Sequence, residues 1–241
     1  MGGNIFPRGD GVASEVVQLK NEDITSSVHA IVFDFDGVLA ETVEVKTCAY
    51  TLLFSDEEEE AINQFVDYHI KNGGVSRFEK IRVFYKDILQ RPLSEKCFKE
   101  LVLRFSSLVI DQVVAAPWVK GAREFLNQNE KQYNFFIVSG TPEDELNEIV
   151  RRRGMGHYFD AVRGSPKDKV TLLSEIIEEY GLKPEKMVFV GDAETDWNAA
   201  RKLGLPFLWR CVSDQNPRLS GYDGPRLPSL TELDMNLNKG I

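Results

Sequence analysis

The chain has 241 residues, 42% of them hydrophobic, which is enough to bury one large core or two modest ones. Its formal net charge of -9 argues against a nucleic-acid or anionic-membrane partner, because binding to phosphate-rich surfaces requires a basic face. The 3 cysteines are widely spaced without a C-x-x-C pair, so neither a disulfide framework nor a zinc knuckle is indicated, and a reducing, cytoplasmic location is expected.

The hydropathy pattern contains no membrane segment. No apolar stretch approaches the roughly 20 residues that cross a bilayer. Residues 1–28 lack the apolar core that is typical of a signal peptide. We therefore expect a globular protein that acts away from the membrane.

The first predicted strand, Ile31–Phe33, leads directly into Asp34, Asp36 and Gly37. Such a short apolar run is typical of a fully buried strand in a parallel sheet, so both carboxylates are expected at the carboxyl edge where ligands bind. A carboxylate beside a divalent cation can attack phosphorus, and a second carboxyl group can protonate the departing oxygen and later activate water. Asp34 suits the nucleophile and Asp36 suits the acid/base.

The next part of the chain has helical periodicity and no convincing strand. Three helices are predicted, at about residues 57–70, 77–89 and 95–109. We assign residues 43–117 to a helical insertion that is large enough to be a small domain, and residues 1–42 and 118–241 to the α/β core.

From about residue 135 the pattern alternates between strands and helices. Strands are predicted at 135–138, 159–162, 187–190 and 206–209, with helices at 142–153, 166–180 and 194–203. This rhythm is typical of right-handed βαβ units. The fold class predicted is α/β, a doubly wound parallel sheet with an inserted helical domain.

The segment Ser139–Pro142 follows the second strand and opens a predicted helix. Thr141 is expected as the N-cap and Pro142 as the first helical residue, which leaves backbone N–H groups near Gly140 and Thr141 free to bind an anion. The hydroxyl of Ser139 would add a donor for a phosphoryl oxygen.

Two lysines near the next helix start compete for one role. Ser165 is expected as the N-cap and Pro166 as the residue after it. Lys169 falls on the apolar face of the helix and therefore points toward the sheet edge, whereas Lys167 lies on the polar side. We expect Lys169 to face the phosphate, and Lys167 stays the alternative.

The fourth strand ends in Gly191–Asp192, with Asp196 one helical turn later. Magnesium prefers oxygen ligands and keeps several waters, so Asp192 is expected to bind it directly, and Asp196 to hold a water or Lys169. Two acidic clusters that converge at one sheet edge would repel each other without such a cation.

The ordered set DFDGV, SGT, a lysine that opens a helix, and GDAETD resembles the haloacid dehalogenase superfamily of phosphohydrolases, over residues 30–210. The resemblance implies Mg²⁺ as cofactor and one role for each matching residue. These roles are nucleophile and metal ligand for Asp34, acid/base and backbone-carbonyl ligand for Asp36, phosphate binding for Ser139, charge neutralisation for Lys169, and metal ligation for Asp192.

The helical insertion is similar to the cap domain of phosphoglycolate phosphatases and β-phosphoglucomutases. Within it, the segment Gly73–Glu79 resembles the specificity loop of the mutases, in which an arginine contacts the distal phosphate. Arg77 would then bind a second anionic group of the substrate. Equally, Ser76 and Glu79 form a capping box, and Arg77 is then simply the first helical residue.

The function that follows is a magnesium-dependent phosphatase that hydrolyses a small phosphomonoester through an aspartyl-phosphate. A β-phosphoglucomutase-like hexose-phosphate mutase is the alternative, and a non-catalytic phosphoprotein or binding module is a third. The predicted partner is a small phosphorylated metabolite. The oligomeric state is not indicated by the sequence.

Overall fold

The structure is a computed structural model that describes residues 28–211, 219 and 221–238. The segments 1–27 and 212–218, which belong to the predicted core, lie outside the described residues. Among the helices that are described, none has both the length and the apolarity needed to cross a bilayer.

A six-stranded parallel sheet organises the described core. In sequence the strands are β1 (Ala30–Phe33), β2 (Asn134–Pro142), β3 (Ala161–Ser165), β4 (Met187–Gly191), β5 (Phe207–Arg210) and β6 (Arg226–Leu227). Their order across the sheet is β3-β2-β1-β4-β5-β6, with β1 and β4 at the centre. The predicted α/β class is therefore confirmed.

Helices cover both faces of the sheet, as a doubly wound fold requires. On one face lie α5 (Ala122–Asn129), α6 (Glu143–Arg152) and α9 (Leu233–Asn238), and on the other α7 (Lys169–Glu179) and α8 (Glu194–Leu203). Apolar side chains of β1 alternate between the two resulting cores: Ile31 and Phe33 enter the first, and Ala30 and Val32 the second. Both faces of β1 are thus buried, which explains its unbroken apolar run.

The strand register aligns the carboxyl ends of β1, β2 and β4, which the candidate site residues follow. Phe33, the last residue of β1, pairs with Ile137 of β2 and Val190 of β4. Because all three strands are parallel, the residues that follow them emerge at the same sheet edge. Asp34, Ser139 and Asp192 are therefore brought close by the sheet itself.

The helical insertion contains α1 (Val43–Leu53), α2 (Glu59–Lys71), α3 (Arg77–Val83), a π-helical turn (Phe84–Ile88) and α4 (Glu95–Ala115). Its centre is aromatic: Tyr50, Phe54, Phe65, Phe84 and Phe105 are buried and in mutual ring contact. These rings supply the apolar area that the insertion needs for its own small core. The division into two domains stays a prediction.

Two predicted helix starts were wrong. Strand β2 continues through Pro142 and α6 begins at Glu143, so Thr141 is not an N-cap and Pro142 is not the first helical residue. The Thr141 hydroxyl is instead bonded to side chains from the helical insertion and the first strand end. Likewise β3 continues through Ser165, and the cap of α7 is Asp168, whose side chain accepts from the Thr171 N–H at 2.8 Å.

Candidate active site

Three buried carboxylates converge at the carboxyl edge of the two central strands. Asp34 follows β1, Asp192 follows β4, and Asp196 lies in the first turn of α8. Each offers an oxygen within 4.8 Å of the others. Burying this many like charges together is unfavourable unless cations neutralise them.

Lys169 supplies part of the compensating charge. Its amino group lies 3.1 Å from an oxygen of Asp34 and also donates a hydrogen bond to Asp196. Burial would lower the pKa of Lys169, but Asp196 and Asp34 outweigh burial and raise it above its ordinary value. The side chain is 6% exposed and faces the sheet edge, as its position on the apolar helix face predicted.

The single positive charge of Lys169 does not neutralise the negative charge of the three carboxylates. Burial raises the pKa of Asp34 to about 7; Lys169 opposes this rise, and the charges of Asp196 and Asp36 add to it. Burial also raises the pKa of Asp196, which accepts a hydrogen bond from the Ala193 N–H at 3.0 Å. The site therefore favours a second positive charge beside Asp34.

Asp36 has different surroundings, although it is only two residues away. One of its oxygens lies 2.5 Å from the Lys46 amino group and accepts from Thr141 at 3.1 Å, and the other accepts from Thr42 at 2.6 Å. Burial would raise the pKa of Asp36, but the charge of Lys46 and these hydrogen bonds outweigh it and lower the pKa. A carboxylate held by three donors is fixed in orientation.

The sequence did not reveal this role of Lys46 and Thr42. Both residues belong to the start of α1, four positions apart, and so lie on the same helix face. That spacing was the available signal. Lys46 also donates to Thr141 at 2.7 Å, so one amino group ties the insertion to two core segments.

Ser139 and Gly140 form the side of the site next to the helical insertion. Ser139 is buried, and its Oγ accepts from the Thr141 N–H at 3.2 Å. A Cβ on Gly140 would collide with the carbonyl oxygen of Gly74, so only glycine allows this approach of the two backbones. The Thr195 hydroxyl donates to the Gly73 carbonyl at 3.2 Å, which adds a second contact between the insertion loop and the core.

A cavity of about 60 Å³ lies between the sheet edge and the helical insertion. Its core side is acidic and its insertion side carries cations and aromatic rings. The lining includes Asp34, Asp36, Gly140, Thr141 and Asp192 from the core, and Lys46, Tyr50, His69, Arg77, Lys80 and Phe105 from the insertion.

Arg77 lies in this cavity wall but is already engaged. Its two terminal nitrogens donate to both carboxylate oxygens of Glu145 in α6, one of them at 2.7 Å, and one also donates to Ser106 at 2.7 Å. The guanidinium also lies 4.7 Å from the ring centre of Phe105. The predicted capping contact of Ser76 with the Glu79 N–H is present at 3.4 Å.

Lys167, the alternative to Lys169, lies apart from the carboxylate cluster. Its side chain is 56% exposed, and its amino group is 2.6 Å from Glu175 on the outer face of α7. The structure thus brings Lys169 to the carboxylates and leaves Lys167 at the surface.

The three carboxylates fit a hard divalent cation. Their donors are all oxygen, the type that Mg²⁺ prefers. A Cβ on Gly37 would lie 2.6 Å from an oxygen of Asp192, so the chain turns here with only a hydrogen facing the cluster. Gly37 has φ of +74°, a conformation that glycine adopts readily.

Comparisons with known proteins give a consistent picture. A family model described as haloacid dehalogenase-like hydrolase matches residues 31–210. The chain is 26% identical over 197 residues to a phosphorylated carbohydrates phosphatase of Thermotoga maritima, covering 78% of this chain and 88% of the relative. It is 27% identical over 190 residues to a phosphoglycolate phosphatase of Synechococcus elongatus, covering 74% and 81%.

A similar fold is found in a variant of CbbY from Rhodobacter sphaeroides, solved with xylulose 1,5-bisphosphate. The TM-score is 0.67 at 18% identity, over 86% of this chain and 96% of that one.

Proposed function

We propose that this chain, which belongs to the haloacid dehalogenase-like hydrolase family, is a magnesium-dependent phosphatase that hydrolyses a small phosphomonoester through an aspartyl-phosphate. Relatives that carry phosphatase names support the reaction class. The observation that carries the proposal is the convergence of Asp34, Asp192, Asp196 and Lys169 beside a separately held Asp36.

In the proposed reaction Asp34 attacks the phosphorus atom. A bond forms between one carboxylate oxygen of Asp34 and phosphorus, and the bond from phosphorus to the ester oxygen breaks. Asp36 is the acid in this step: because Lys46 and its hydrogen bonds lower its pKa, it must first take up a proton from solvent, which it then gives to the departing oxygen, so the leaving group departs as a neutral alcohol. Asp36 then takes a proton from water, whose oxygen attacks phosphorus, frees phosphate and restores Asp34.

The other residues hold the phosphoryl group and its charge. Lys169 neutralises Asp34 and a phosphoryl oxygen, and the Ser139 hydroxyl and the Gly140 N–H donate hydrogen bonds to the remaining oxygens, while the Thr141 N–H stays bonded to Ser139. Mg²⁺, held by Asp34, Asp192, Asp196 and the Asp36 carbonyl, would supply positive charge that keeps the nucleophile ionised and stabilises the charge developing on phosphorus.

The hexose-phosphate mutase remains the alternative. Mutase and hydrolase share the first half of the reaction and differ in whether water reaches the aspartyl-phosphate. Incubation with β-glucose 1-phosphate distinguishes the two, since only a mutase forms glucose 6-phosphate.

The phosphatase proposal is tested with the Asp34→Asn variant. Phosphate release from p-nitrophenyl phosphate and small alkyl phosphates should require Mg²⁺ and should fall by at least about 1,000-fold in the variant, because the amide cannot act as the nucleophile. The matched control is Asp67→Asn, an exposed position on α2, which should keep full turnover. Undiminished turnover by Asp34→Asn would rule the mechanism out.

A further inference from the structure

We infer that Glu145 is a specificity-determining residue: by pairing with Arg77 it disfavours substrates that carry a second anionic group at the end away from the cleaved ester. The inference rests on the proposed phosphatase function and states what the helical insertion does not accept in a substrate. It is carried by the position, burial and hydrogen bonding of these two side chains.

Arg77 lies where it could contact a substrate. It lines the same cavity as Asp34 and Asp36, and the ring of Phe105, which also lines the cavity, has its centre 4.7 Å from the guanidinium carbon. A guanidinium stays charged and presents its N–H groups in a planar arrangement that matches a carboxylate or a phosphate. With free terminal nitrogens, Arg77 would therefore bind a second anionic group of a substrate.

Those nitrogens are already bonded to a carboxylate of the protein itself. Each terminal nitrogen of Arg77 donates to one oxygen of Glu145 on α6, and one of them also donates to the Ser106 hydroxyl at 2.7 Å. The side chains of Arg77 and Glu145 are 3% and 8% exposed. Glu145 thus occupies the position on the guanidinium that a substrate carboxylate or phosphate would take.

A second anionic group would bind poorly at this pair for two reasons. If it displaced Glu145, that carboxylate would stay buried without its counter-charge, which is costly. If it left Glu145 in place, it would meet a cation whose charge is already balanced. The Tyr50 hydroxyl in the cavity wall shows the effect of both charges: burial raises its pKa, Arg77 opposes this rise, and Asp36 and Glu145 add to it. This part of the cavity wall therefore favours an uncharged group.

Contact between α6 and the insertion does not by itself explain the arrangement. Arg152 of α6 and Asp111 of α4 form a second ion pair between the same parts, 2.8 Å apart, and neither residue lines the cavity. A buried pair costs more desolvation than an exposed one and is weak evidence for a stabilising role. The pair of Arg77 and Glu145 differs because its cation stands in the wall of the cavity beside Asp34, as a role in specificity requires.

The test compares each α,ω-alkanediol bisphosphate with the matching monophosphate, for chains of two to five carbons. The two esters differ only in the second phosphoryl group, and the range of lengths varies how far that group reaches into the cavity. The quantity measured is the ratio of kcat/KM, per phosphoryl group, for the bisphosphate to that for the monophosphate. In the wild-type protein this ratio should be on the order of 0.1 or lower at every length.

Three variants assign the preference to the pair. Glu145→Gln should raise the ratio by at least about 10-fold at one or more lengths, because a charge-assisted hydrogen bond to Arg77 becomes available. Arg77→Met/Glu145→Gln should return to the wild-type ratio, since it contains no unpaired cation. Asp144→Asn, at an exposed position on the same helix, is the matched control and should keep the wild-type ratio. A ratio taken within one variant does not change when part of that variant is unfolded.

Each outcome supports or overturns the inference. A wild-type ratio of one or more at any length overturns it, and so does a folded Glu145→Gln variant whose ratios stay at the wild-type values. If Glu145→Gln does not fold, the double variant decides, because it leaves no buried charge unpaired. A double variant at the wild-type ratio supports the inference, whereas one well below it overturns the inference, since Arg77 would then bind the second anion despite Glu145.

The monophosphates separate this inference from the proposed function. Their turnover by the wild type shows that the phosphatase function stands whichever way the ratios fall. If the wild type hydrolyses no phosphomonoester at all, the proposed function fails and the inference fails with it.

Discussion

Asp34 and Asp36 show how two identical side chains in one turn acquire different chemistry. Asp34 has carboxylates and one lysine around it, and burial raises its pKa. Asp36 accepts three hydrogen bonds, of which the one from Lys46 is also an ion pair, and its pKa is lowered. The turn that separates them depends on Gly37, whose φ of +74° directs the chain away from Asp192.

Substitution of Gly37 by alanine should therefore damage the site and not only the backbone. Alanine in this conformation costs about 1 kcal/mol of stability wherever it occurs. At Gly37 its methyl group would also lie 2.6 Å from an Asp192 oxygen and displace that carboxylate. We expect kcat/KM to fall by more than about 10-fold and the Mg²⁺ concentration needed for half-maximal activity to rise.

Gly181→Ala is the matched control for this prediction. Gly181 has a similar φ of +60°, but a Cβ there would meet nothing within 4 Å. It should lose a comparable amount of stability and keep wild-type kcat/KM and Mg²⁺ dependence. A Gly37→Ala variant with kinetics as intact as those of Gly181→Ala would contradict the proposed contact.

At the scale of elements, helix α6 of the core contacts the helical insertion at both ends of the helix. Near its start, Glu145 binds Arg77 of α3. Just past its end, Arg153 donates to three carbonyl oxygens at the end of α4, the nearest at 2.7 Å. A cation at a helix C-terminus also interacts favourably with the helix dipole. Movement of the insertion would thus have to break the contact between Arg77 and Glu145.

The Arg77–Glu145 pair should be strongly coupled in a double-mutant cycle. The side chains are 3% and 8% exposed, so removal of one partner leaves the other buried without its counter-charge. Arg77→Met or Glu145→Gln should each lower the free energy of unfolding by about 3 kcal/mol. The double variant should lose clearly less than the sum, as measured by urea denaturation.

A second ion pair between α6 and α4 gives the comparison. Arg152 and Asp111 lie 2.8 Å apart, but their side chains are 33% and 80% exposed. Because water screens this pair, its removal should cost less than about 1 kcal/mol. Strict additivity for Arg77 and Glu145, or equal costs for the two pairs, would show that burial does not set the strength of the contact.

For the whole molecule, the sequence predicted those features that depend on short-range patterns, namely the central strands and the position of Lys169. Fully apolar runs identified β1 and β4, and parallel strands bring Asp34 and Asp192 to one edge whatever the loops do. Lys169 followed from helical periodicity. The start of α6 was mispredicted because the Thr141 hydroxyl is bonded to Asp36, 105 positions earlier in the chain.

The side of the site formed by the helical insertion was also harder to predict, because its contacts join residues that are far apart in the sequence. Arg77 binds a glutamate 68 positions away, and Lys46 binds a threonine 95 positions away. Helical periodicity is a local property. It cannot predict which of several basic residues faces a cavity that forms only when two distant segments pack together. The sequence around His69 likewise gives no sign that this residue lines the cavity.

The carboxylate cluster should lower the stability of the whole protein when no metal is bound, because the same groups that would bind the ion repel one another. Asp34, Asp192 and Asp196 place three acidic groups within 4.8 Å of one another, against the single charge of Lys169. The isosteric change Asp192→Asn removes one of the repelling charges. In the presence of a chelator we expect it to raise the melting temperature by about 2–4 °C, equivalent to about 1 kcal/mol.

With excess Mg²⁺ we expect the opposite order of melting temperatures, with the wild type above Asp192→Asn. Saturating cation stabilises the wild type by mass action, about 2.7 kcal/mol at a hundredfold excess over Kd, whereas Asp192→Asn has lost a ligand and should gain little. Differential scanning calorimetry with and without Mg²⁺ measures both effects. Asp67→Asn, exposed on α2, should follow the wild type in both conditions. An Asp192→Asn variant that is destabilised under chelation and still responds fully to Mg²⁺ would mean that this carboxylate neither opposes its neighbours nor binds the ion.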